Sequence, residues 1–276
     1  MGKKVKSKKS KLYSRFQLAK KYLYYYLTAA NGKGHGIHSP FVFDFVKHVL
    51  NDKQNYPAYQ AIENIRKQLL ADSTVIEVED FGAGSSVIKT NKRLVSAIAK
   101  SSLKPKKYAQ LLYRMVNYYK PAKVLELGTS FGITTAYLAS ANTASKIFTC
   151  EGSGAIASIA KQNFAALQLK NVQLTEGDFA KTLSPVLSNL QEINFAFIDG
   201  NHRKEPTLIY FNELLNYSTP ATILVFDDIH WSEEMEDVWH QIKAHPSVTL
   251  TIDLFFIGIV FFNPDFNHKQ DFCIRF

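Results

Sequence analysis

Acidic residues end or directly follow several short apolar runs from residue 126 onward in this 276-residue chain. In chain order these acids are Glu126, Glu151, Asp178, Asp199, Asp227 and Asp228, and His202 follows Asp199 closely. A carboxylate at the end of a buried strand can accept hydrogen bonds from the hydroxyl or amino groups of a ligand. Carboxylates that face one another can hold a cation, and a nearby histidine can move a proton near neutral pH. The acids therefore indicate a ligand-binding edge with a reacting centre beside it.

The stretch around the first acid predicts a strand, a tight turn and a helix in succession. Residues 123–127 are apolar apart from Lys123 and Glu126, which suits a strand buried on both faces. Gly128 and Gly132 bound the turn, and a helix is expected directly after it. The turn has the spacing Glu-x-Gly-x-x-x-Gly, which differs from both phosphate-binding glycine fingerprints. It therefore favours a ligand with an ammonium group and a ribose over one with a pyrophosphate.

The next two acids have the positions that an adenosyl group would need. Glu151 follows Gly128 by 23 residues and ends the second predicted strand, where a carboxylate can accept from both ribose hydroxyls. Asp178 ends the third strand between Gly177 and Phe179, so it could accept from an adenine amino group while the ring packs on the base. Each acid alone is a weak signal, because strand ends often carry solvated acids, whereas the ordered pair is a stronger one.

Taken together, the turn and the two acids resemble the motifs of class I S-adenosylmethionine-dependent methyltransferases. The likeness extends over residues 108–262 and implies S-adenosyl-L-methionine as the cofactor. By this resemblance the turn holds the methionine part and Thr134 reaches its carboxylate. Glu151 would bind the ribose, and Asp178 with Phe179 the adenine. The implied cofactor-binding residues are Glu126, Gly128, Thr129, Ser130, Gly132, Thr134, Glu151, Gly177, Asp178 and Phe179.

The last acids indicate how a methyl group would be transferred. Asp199, Asp227 and Asp228 would converge at the ends of two neighbouring strands, and three carboxylates repel one another unless they are paired or bind a cation. Oxygen ligands of this kind suit Mg²⁺, which could lower the pKa of an acceptor hydroxyl. The sequence therefore predicts a metal site made of these three residues, with Asp199 and His202 as the catalytic pair. The alternative, in which Asp199 caps a turn and the other two acids are solvated, stays open.

This second group of acids resembles the catechol O-methyltransferase-like group, whose pattern is an Asp, a base three residues later and then an Asp-Asn pair. His202 stands where that group has a lysine, and Asp228 stands where it has an asparagine. Small-molecule and sugar O-methyltransferases with Asp-Gly-x-His and Asp-Asp stretches are closer to this sequence. The resemblance implies methyl transfer to a hydroxyl group of a small molecule, assisted by a divalent metal ion.

The elements that could position these residues alternate as strand and helix, which is typical of a mostly parallel sheet. Strands are predicted at 123–127, 146–150, 171–175, 194–198 and 221–226, with a closing pair at 249–253 and 257–262 and a short final strand at 272–276. We expect an α/β fold with a Rossmann-like class I methyltransferase sheet, mostly parallel with one antiparallel closing strand. Helices would cover both faces, and an N-terminal helical cap would complete the fold.

The N-terminal part differs from the rest in charge. Residues 1–21 carry nine lysine and arginine side chains, and no acid occurs before Asp44. Because the formal net charge of the whole chain is +9, the remaining residues together have a net charge of zero. We divide the chain into a basic tail and amphipathic helix at 1–30, a helical cap region at 31–104 and a cofactor-binding domain at 105–276. The helix at 12–29 is expected to pack on the body. Contact of the basic tail with nucleic acid or an anionic membrane is the alternative.

Smaller features bound the prediction further. His35 and His38 lie in a glycine-rich loop, where they either line a substrate entrance or are plain surface residues. The stretch Asp80-Phe-Gly-Ala-Gly imitates the glycine turn, but its flanks predict a loop. The two cysteines form no metal or disulfide pattern, which favours a reducing cytoplasm, and no secretory signal follows the basic start.

The leading hypothesis is a cytoplasmic O-methyltransferase that acts on a small hydroxylated molecule, and the one assembly considered for it is a homodimer. Two alternatives stay open: an RNA methyltransferase whose basic tail binds phosphates, and a non-catalytic protein that binds the cofactor or a membrane surface. The chain has no Asn/Asp-Pro-Pro-Tyr stretch, which disfavours methylation of base amino groups. It also has no Pro-Cys pair, which disfavours covalent attack on carbon 5 of pyrimidines.

Overall fold

The computed structural model describes residues 12–79, 91–266 and 268–276. Within these ranges the helices are α1 (Arg15–Thr28), α2 (Pro40–Phe45) with a π-helical continuation at Val46–Leu50, α3 (Pro57–Ala71), α4 (Val95–Ser102), α5 (Lys106–Tyr119), α6 (Ile133–Ala141), α7 (Gly154–Ala166), α8 (Phe179–Leu190), α9 (Lys204–Leu215) and α10 (Glu233–Ala244). The strands are β1 (Val75–Glu77), β2 (Lys92–Leu94), β3 (Lys123–Leu127), β4 (Lys146–Glu151), β5 (Val172–Glu176), β6 (Ile193–Ile198), β7 (Ser218–Asp227), β8 (Leu250–Asp253), β9 (Ile257–Phe261) and β10 (Gln270–Cys273). The alternation of strand and helix from β3 onward confirms the predicted α/β class.

Eight of these strands form one sheet in the order β10-β8-β9-β7-β6-β3-β4-β5. Strand β9 runs antiparallel to its neighbours β7 and β8, and the other pairs in the sheet are parallel. This confirms a mostly parallel sheet with one antiparallel strand. The chain moves outward from β3 to β4 and β5, then returns to β6 on the other side of β3. A crevice opens outside the carboxyl ends of the strands where the order reverses in this way, and ligands bind there.

The central strands form because their side chains are buried on both faces of the sheet. In β3 every residue after Lys123 is buried. Val124 packs in the same cluster as side chains of α5 and α6, whereas Leu125 packs with side chains of α8, α9 and α10. A strand covered on both faces reads as a continuous apolar run, which explains why β3 was predicted with its observed bounds.

The N-terminal region contains elements that the sequence analysis did not predict. Helix α4 and strand β2 lie where no element was expected. They were missed because a three-residue strand and an eight-residue helix give only weak periodic signals in the sequence. The last strand lies at Gln270–Cys273 instead of 272–276. The Asp80–Gly84 stretch, predicted as a loop, falls outside the described residues, as does the chain before Leu12.

The N-terminal helices pack on the helical layer above β3. Side chains of α3 and α4, such as Ile62 and Ile98, share one buried cluster with Tyr113 of α5 and Tyr137 of α6. His35 and His38, in the glycine-rich loop after α1, are both exposed. Among the described residues, no helix has the length and apolar character needed to cross a bilayer.

Candidate active site

The glycine turn between β3 and α6 lies where the strand order reverses. Gly128 has a φ of +104°, and a Cβ atom there would lie 2.2 Å from the carbonyl oxygen of Asp199. Gly132 has a φ of +79°, and a Cβ atom there would lie 2.4 Å from the ring of Phe164. Both positions therefore require glycine, for backbone conformation and for space. The turn leads into the N-terminus of α6, whose first N–H groups have no partner within the helix and can face a ligand.

Glu151 ends β4 beside this turn. Its carboxylate accepts hydrogen bonds from the backbone N–H groups of Ser130 at 2.8 Å and Ser153 at 3.0 Å. Burial raises the pKa of Glu151, and these N–H donors oppose the rise. A carboxylate held in this way could exchange backbone donors for the two hydroxyls of a ribose, as predicted for Glu151.

Glu126 lies beneath the turn and its side chain is fully buried. One carboxylate oxygen accepts from the hydroxyls of Thr135 and Thr149, and the other oxygen has no hydrogen-bond partner. Burial raises the pKa of Glu126 to about 8, against the effect of the two hydroxyls. An unsatisfied buried carboxylate oxygen suits an ammonium group such as that of a methionine moiety. Thr134, predicted to reach the cofactor carboxylate, is buried in the first turn of α6.

Asp178 and Phe179 lie at the start of α8, after the strand that pairs with β4. The Asp178 carboxylate accepts from the N–H group of Ala180 at 3.1 Å and so caps the helix. The Phe179 ring lies against Gly200, where a Cβ atom would be only 2.6 Å from the ring. Gly177, with a φ of +128°, turns the chain between β5 and α8. The structure thus places these predicted adenine contacts along the same edge as Glu151. We call the edge formed by Glu126, Glu151 and Asp178 the cofactor half.

The acids after β6 and β7 meet on the other side of the glycine turn. One donor atom each of Asp199, His202 and Asp227 lies within 4.8 Å of the other two. The Nε2 atom of His202 is 3.4 Å from the Asp199 carboxylate, and its Nδ1 atom is 4.0 Å from Asp228. The structure therefore brings the predicted catalytic pair together. We call Asp199, His202, Asp227 and Asp228 the acceptor half.

Left-handed backbone occurs at three positions in or next to the acceptor half. Asn201, His202 and Asp228 have φ values of 65°, 30° and 53°. This region costs an L-residue roughly 1–2 kcal/mol, and it persists where the surroundings fix it, often at functional sites. These turns hold His202 and Asp228 beside Asp199.

A lysine that the sequence analysis did not single out lies within the acceptor half. Lys104 precedes Pro105 in the link between α4 and α5, and its side chain is 10% exposed. Its ammonium group donates a hydrogen bond to Asp227 and lies 3.4 Å from the Asp199 carboxylate. No local pattern indicates this contact, because Lys104 is remote in sequence from both acids and occurs in a lysine-rich segment. The one sequence feature that marks this position is Pro105, which lies between the two helices.

The charges of the acceptor half compensate one another. Burial opposes ionisation of Asp199, yet the Lys104 ammonium and then His202 hold its pKa well below its usual range. Burial raises the pKa of Asp227, and the charges of Asp199 and Asp228 raise it further. Burial alone would lower the pKa values of Lys104 and His202, but the neighbouring carboxylates raise both. The group is therefore an interdependent set of acids and cations.

This arrangement does not fit the predicted Mg²⁺ ion. Mg²⁺ prefers octahedral oxygen coordination with several water ligands. Here the ammonium group of Lys104 contacts both Asp199 and Asp227, and the third converging donor is the His202 ring, not Asp228. A divalent ion between these carboxylates would face the positive charge of the ammonium at short range. The predicted ligand set of Asp199, Asp227 and Asp228 is therefore not assembled around a free cation position.

The Tyr108 ring lies near the acids of the acceptor half and connects them to three further aromatic rings. The Tyr108 ring on α5 contacts Phe256 and Phe276, with centroid distances of 5.8 Å and 5.6 Å. Phe256 in turn stacks with Tyr22 of α1 at 6.0 Å. Burial raises the pKa of Tyr108, and the charges of Tyr22 and Asp227 add to the rise, so the hydroxyl lies within electrostatic range of the acids. We call these four rings the aromatic wall.

Comparisons with known proteins agree with this geometry. Residues 125–229 match a family model described as a methyltransferase domain. No curated protein sequence matches the chain. An O-methyltransferase from Bacillus cereus in complex with SAH shares 20% identity at a TM-score of 0.53, over 80% of this chain and 97% of that one.

Two further solved structures share the fold. The SAH-bound methyltransferase PaMTH1 from Podospora anserina has 12% identity and a TM-score of 0.57, over 81% of this chain and 96% of that one. The O-methyltransferase TomG from Streptomyces achromogenes in complex with SAM has 18% identity and a TM-score of 0.51, over 59% of this chain and 82% of that one. At these identities the likeness concerns the fold. The matched segment, residues 125–229, is thus a methyltransferase domain, and the chain has the fold of methyltransferases solved with SAM or SAH.

Proposed function

We propose that this methyltransferase transfers the methyl group to a hydroxyl group of a small molecule. The observation that carries the proposal is the position of His202, a proton acceptor, against Asp199, whose backbone touches Gly128 of the cofactor turn. A base in this place adjoins the methionine end of the predicted cofactor site, where the methyl group would be. The solved structures named as O-methyltransferases share the same fold.

In this proposal the cofactor supplies a methyl group bound to a positively charged sulfur. His202 accepts the proton of the acceptor hydroxyl at a ring nitrogen while the oxygen attacks the methyl carbon. Asp199 orients the His202 ring and favours its protonated form, since the two groups lie 3.4 Å apart. The rigid edges of β6 and β7 hold the acceptor in line with the methyl group.

The aromatic wall supports a planar, largely apolar acceptor. Each of the four rings has its centroid within 6.0 Å of at least one other, and together they offer edge and face contacts to an aromatic molecule. The acids at its border would then receive the hydroxyl group. The predicted divalent metal is not part of this proposal, because Lys104 contacts both carboxylates. The cytoplasmic location and the homodimer stay predictions from the sequence.

The test is transfer of a labelled methyl group from S-adenosyl-L-methionine to a panel of catechols, phenols and sugars. We expect transfer to a hydroxylated aromatic compound by the wild-type protein, and a loss of about 10²- to 10⁴-fold in the His202→Gln variant. Calorimetry with S-adenosylhomocysteine (SAH) should show that both proteins bind the product equally. Transfer to RNA in place of the panel would contradict the proposal and favour the RNA methyltransferase alternative.

A further inference from the structure

We infer that the Lys104 ammonium is the resident cation of the acceptor half, so that methyl transfer here needs no divalent metal ion. The inference rests on the proposed function for its chemical meaning. The assignment of the cation itself, however, can be tested without turnover. The inference follows from the contacts of the Lys104 side chain. Neither the strand-end motifs nor the family match indicates this residue.

The position of the ammonium group is fixed from several directions. It donates to Asp227 at the end of β7, lies 3.4 Å from Asp199 after β6, and lies 5.9 Å from the centre of the Phe197 ring. The side chain is 10% exposed, and Pro105 follows it directly. The Lys104 side chain therefore has little room to swing away and release the carboxylates to another cation.

The same contacts explain how the acids can be buried together. The Asp227 side chain is 2% exposed and that of Asp199 15% exposed, so each depends on a partner for its charge. Lys104 provides the positive charge to both. Without it, the two carboxylates and the His202 ring would form an open set of three donors within 4.8 Å, which a divalent ion could occupy.

The ammonium group has a defined part in the proposed reaction. Its N–H donors can hold the acceptor oxygen beside His202 and stabilise the negative charge that develops there as the proton leaves. The new bond forms between that oxygen and the methyl carbon. The bond between the methyl carbon and sulfur breaks, and its electron pair stays on the sulfur as a neutral thioether. The proton is then on His202, so no further reactant is required.

Titration with Mn²⁺, followed by electron paramagnetic resonance, tests the inference directly. We expect the wild-type protein and the Lys104→Arg variant to leave millimolar Mn²⁺ unbound. The Lys104→Met variant should bind one Mn²⁺ ion at the vacated carboxylates. The double variant Lys104→Met/Asp227→Asn, which removes one of those ligands as a matched control, should lose that binding again.

A wild-type protein that binds one Mn²⁺ ion at micromolar concentration would overturn the inference, and this measurement does not depend on whether any variant folds. Methyl transfer abolished by EDTA and restored by Mg²⁺ would overturn it as well. Absence of SAH binding to the wild-type protein would instead contradict the proposed function and leave the result on the cation standing.

A second, independent observation concerns α1, which is apolar on two opposite sides. Its inner side packs Tyr22 and Tyr25 against Phe255, at 5.1 Å and 5.3 Å between ring centroids. On its outer side Phe16, Leu23 and Leu27 are 80%, 57% and 68% exposed, and their spacing of seven and four residues places them in one line. We call these three residues the outer stripe.

The body of the protein fixes α1 so that the outer stripe must face outward. The Tyr25 hydroxyl donates to the carbonyl of Ile274. The Tyr13 hydroxyl and the Lys21 ammonium donate to Glu236 of α10 at 2.7 Å and 3.0 Å. A helix held in this way and apolar on its outer side offers a surface for a partner.

We propose that the outer stripe binds an anionic lipid surface. Residues 1–21 carry nine positive charges, and no acid occurs before Asp44, which complements anionic head groups. A second copy of α1 would bring an equal positive charge and be repelled. RNA would pair with the charges but leave the apolar stripe exposed to water.

Co-sedimentation with vesicles tests this second proposal. The wild-type protein should pellet with vesicles that contain phosphatidylglycerol, less at high salt, and not with pure phosphatidylcholine. The Leu23→Ser/Leu27→Ser variant should lose roughly tenfold in vesicle affinity. A matched control, Leu70→Ser/Val75→Ser, changes two exposed apolar residues elsewhere and should bind as the wild type does.

Three results would overturn this proposal. The first is an absence of pelleting with anionic vesicles, and the second is equal pelleting of the Leu23→Ser/Leu27→Ser variant. The third is a wild-type dimer, seen by light scattering, that becomes a monomer in that variant, since the stripe would then bind a second copy. Salt-sensitive RNA binding in place of vesicle binding would assign the basic segment to nucleic acid and equally overturn it.

Discussion

The two halves of the carboxyl edge handle their acids in different ways. In the cofactor half, each carboxylate lies at the end of its own strand and takes donors from nearby backbone or hydroxyl groups, as Glu151 does from Ser130. In the acceptor half, Asp199 and Asp227 share one ammonium group that comes from a distant segment, Lys104. The first half is built from local pieces. The second depends on a tertiary contact, and its chemistry cannot be read from the strands alone.

The largest effect should come from breaking the shared arrangement of the acceptor half. The Asp199→Ala variant loses the carboxylate that faces both His202 and Lys104, so methyl transfer should fall by about 10³-fold. SAH affinity, measured by calorimetry, should stay near the wild-type value because the cofactor half is intact. A parallel loss of SAH affinity would mean that the two halves are not separate.

The next effect concerns the cofactor half. The Glu151→Ala variant should weaken SAH binding by about 10²-fold, because the carboxylate would make two hydrogen bonds to the ribose. Transfer at saturating cofactor should be little changed. Glu176 is a suitable control, since it pairs with Glu151 in register on β5 but is bound to Lys161 at the surface. Equal SAH affinity in the Glu151→Ala and Glu176→Ala variants would remove the ribose assignment.

The buried acid under the turn should make stability depend on pH. Burial raises the pKa of Glu126 from 4.5 to about 8 in the folded state, so the folded protein holds a proton that the unfolded chain releases. The free energy of unfolding should therefore fall as the pH rises through this window, by up to about 1.4 kcal/mol per pH unit. The Glu126→Gln variant should lack this dependence. Denaturant unfolding across the window measures the slope, and an unchanged slope in the variant would contradict the assignment.

A smaller effect should follow from removing one local donor. The Thr149→Val variant loses a hydroxyl that donates to Glu126 at 2.6 Å, which should lower the free energy of unfolding by about 1 kcal/mol. Urea unfolding near neutral pH measures it. If the variant unfolds with the same free energy as the wild type, local hydrogen-bond donors do not stabilise the buried acid of the cofactor half, which contradicts the contrast drawn between the two halves.

The sequence predicted the cofactor half better than the acceptor half for a physical reason. Strand β3, its glycine turn and the strand-end acids are fixed by burial and backbone conformation within short segments, and both leave a pattern in the sequence. The hydroxyl of Thr135 donates to Glu126, and no sequence pattern singled out this residue, which shows the limit of such patterns at the level of single side chains.

The acceptor half could be predicted only in part. The convergence of Asp199, His202 and Asp227 follows from two adjacent parallel strands, and the sequence indicated it. The sequence did not indicate the cation. Lys104 lies between α4 and α5, so its position depends on how both helices pack, and α4 was not predicted. Mg²⁺ was predicted from the charges of the acids alone, and in the structure Lys104 contacts two of those acids.

The most direct test is a crystal structure of the chain grown with SAH and Mn²⁺. The account predicts the ribose hydroxyls of SAH on Glu151, the Lys104 ammonium between Asp199 and Asp227, and no anomalous Mn²⁺ peak between those two acids. SAH bound away from the glycine turn, or a Mn²⁺ ion between the two acids with Lys104 displaced, would contradict it.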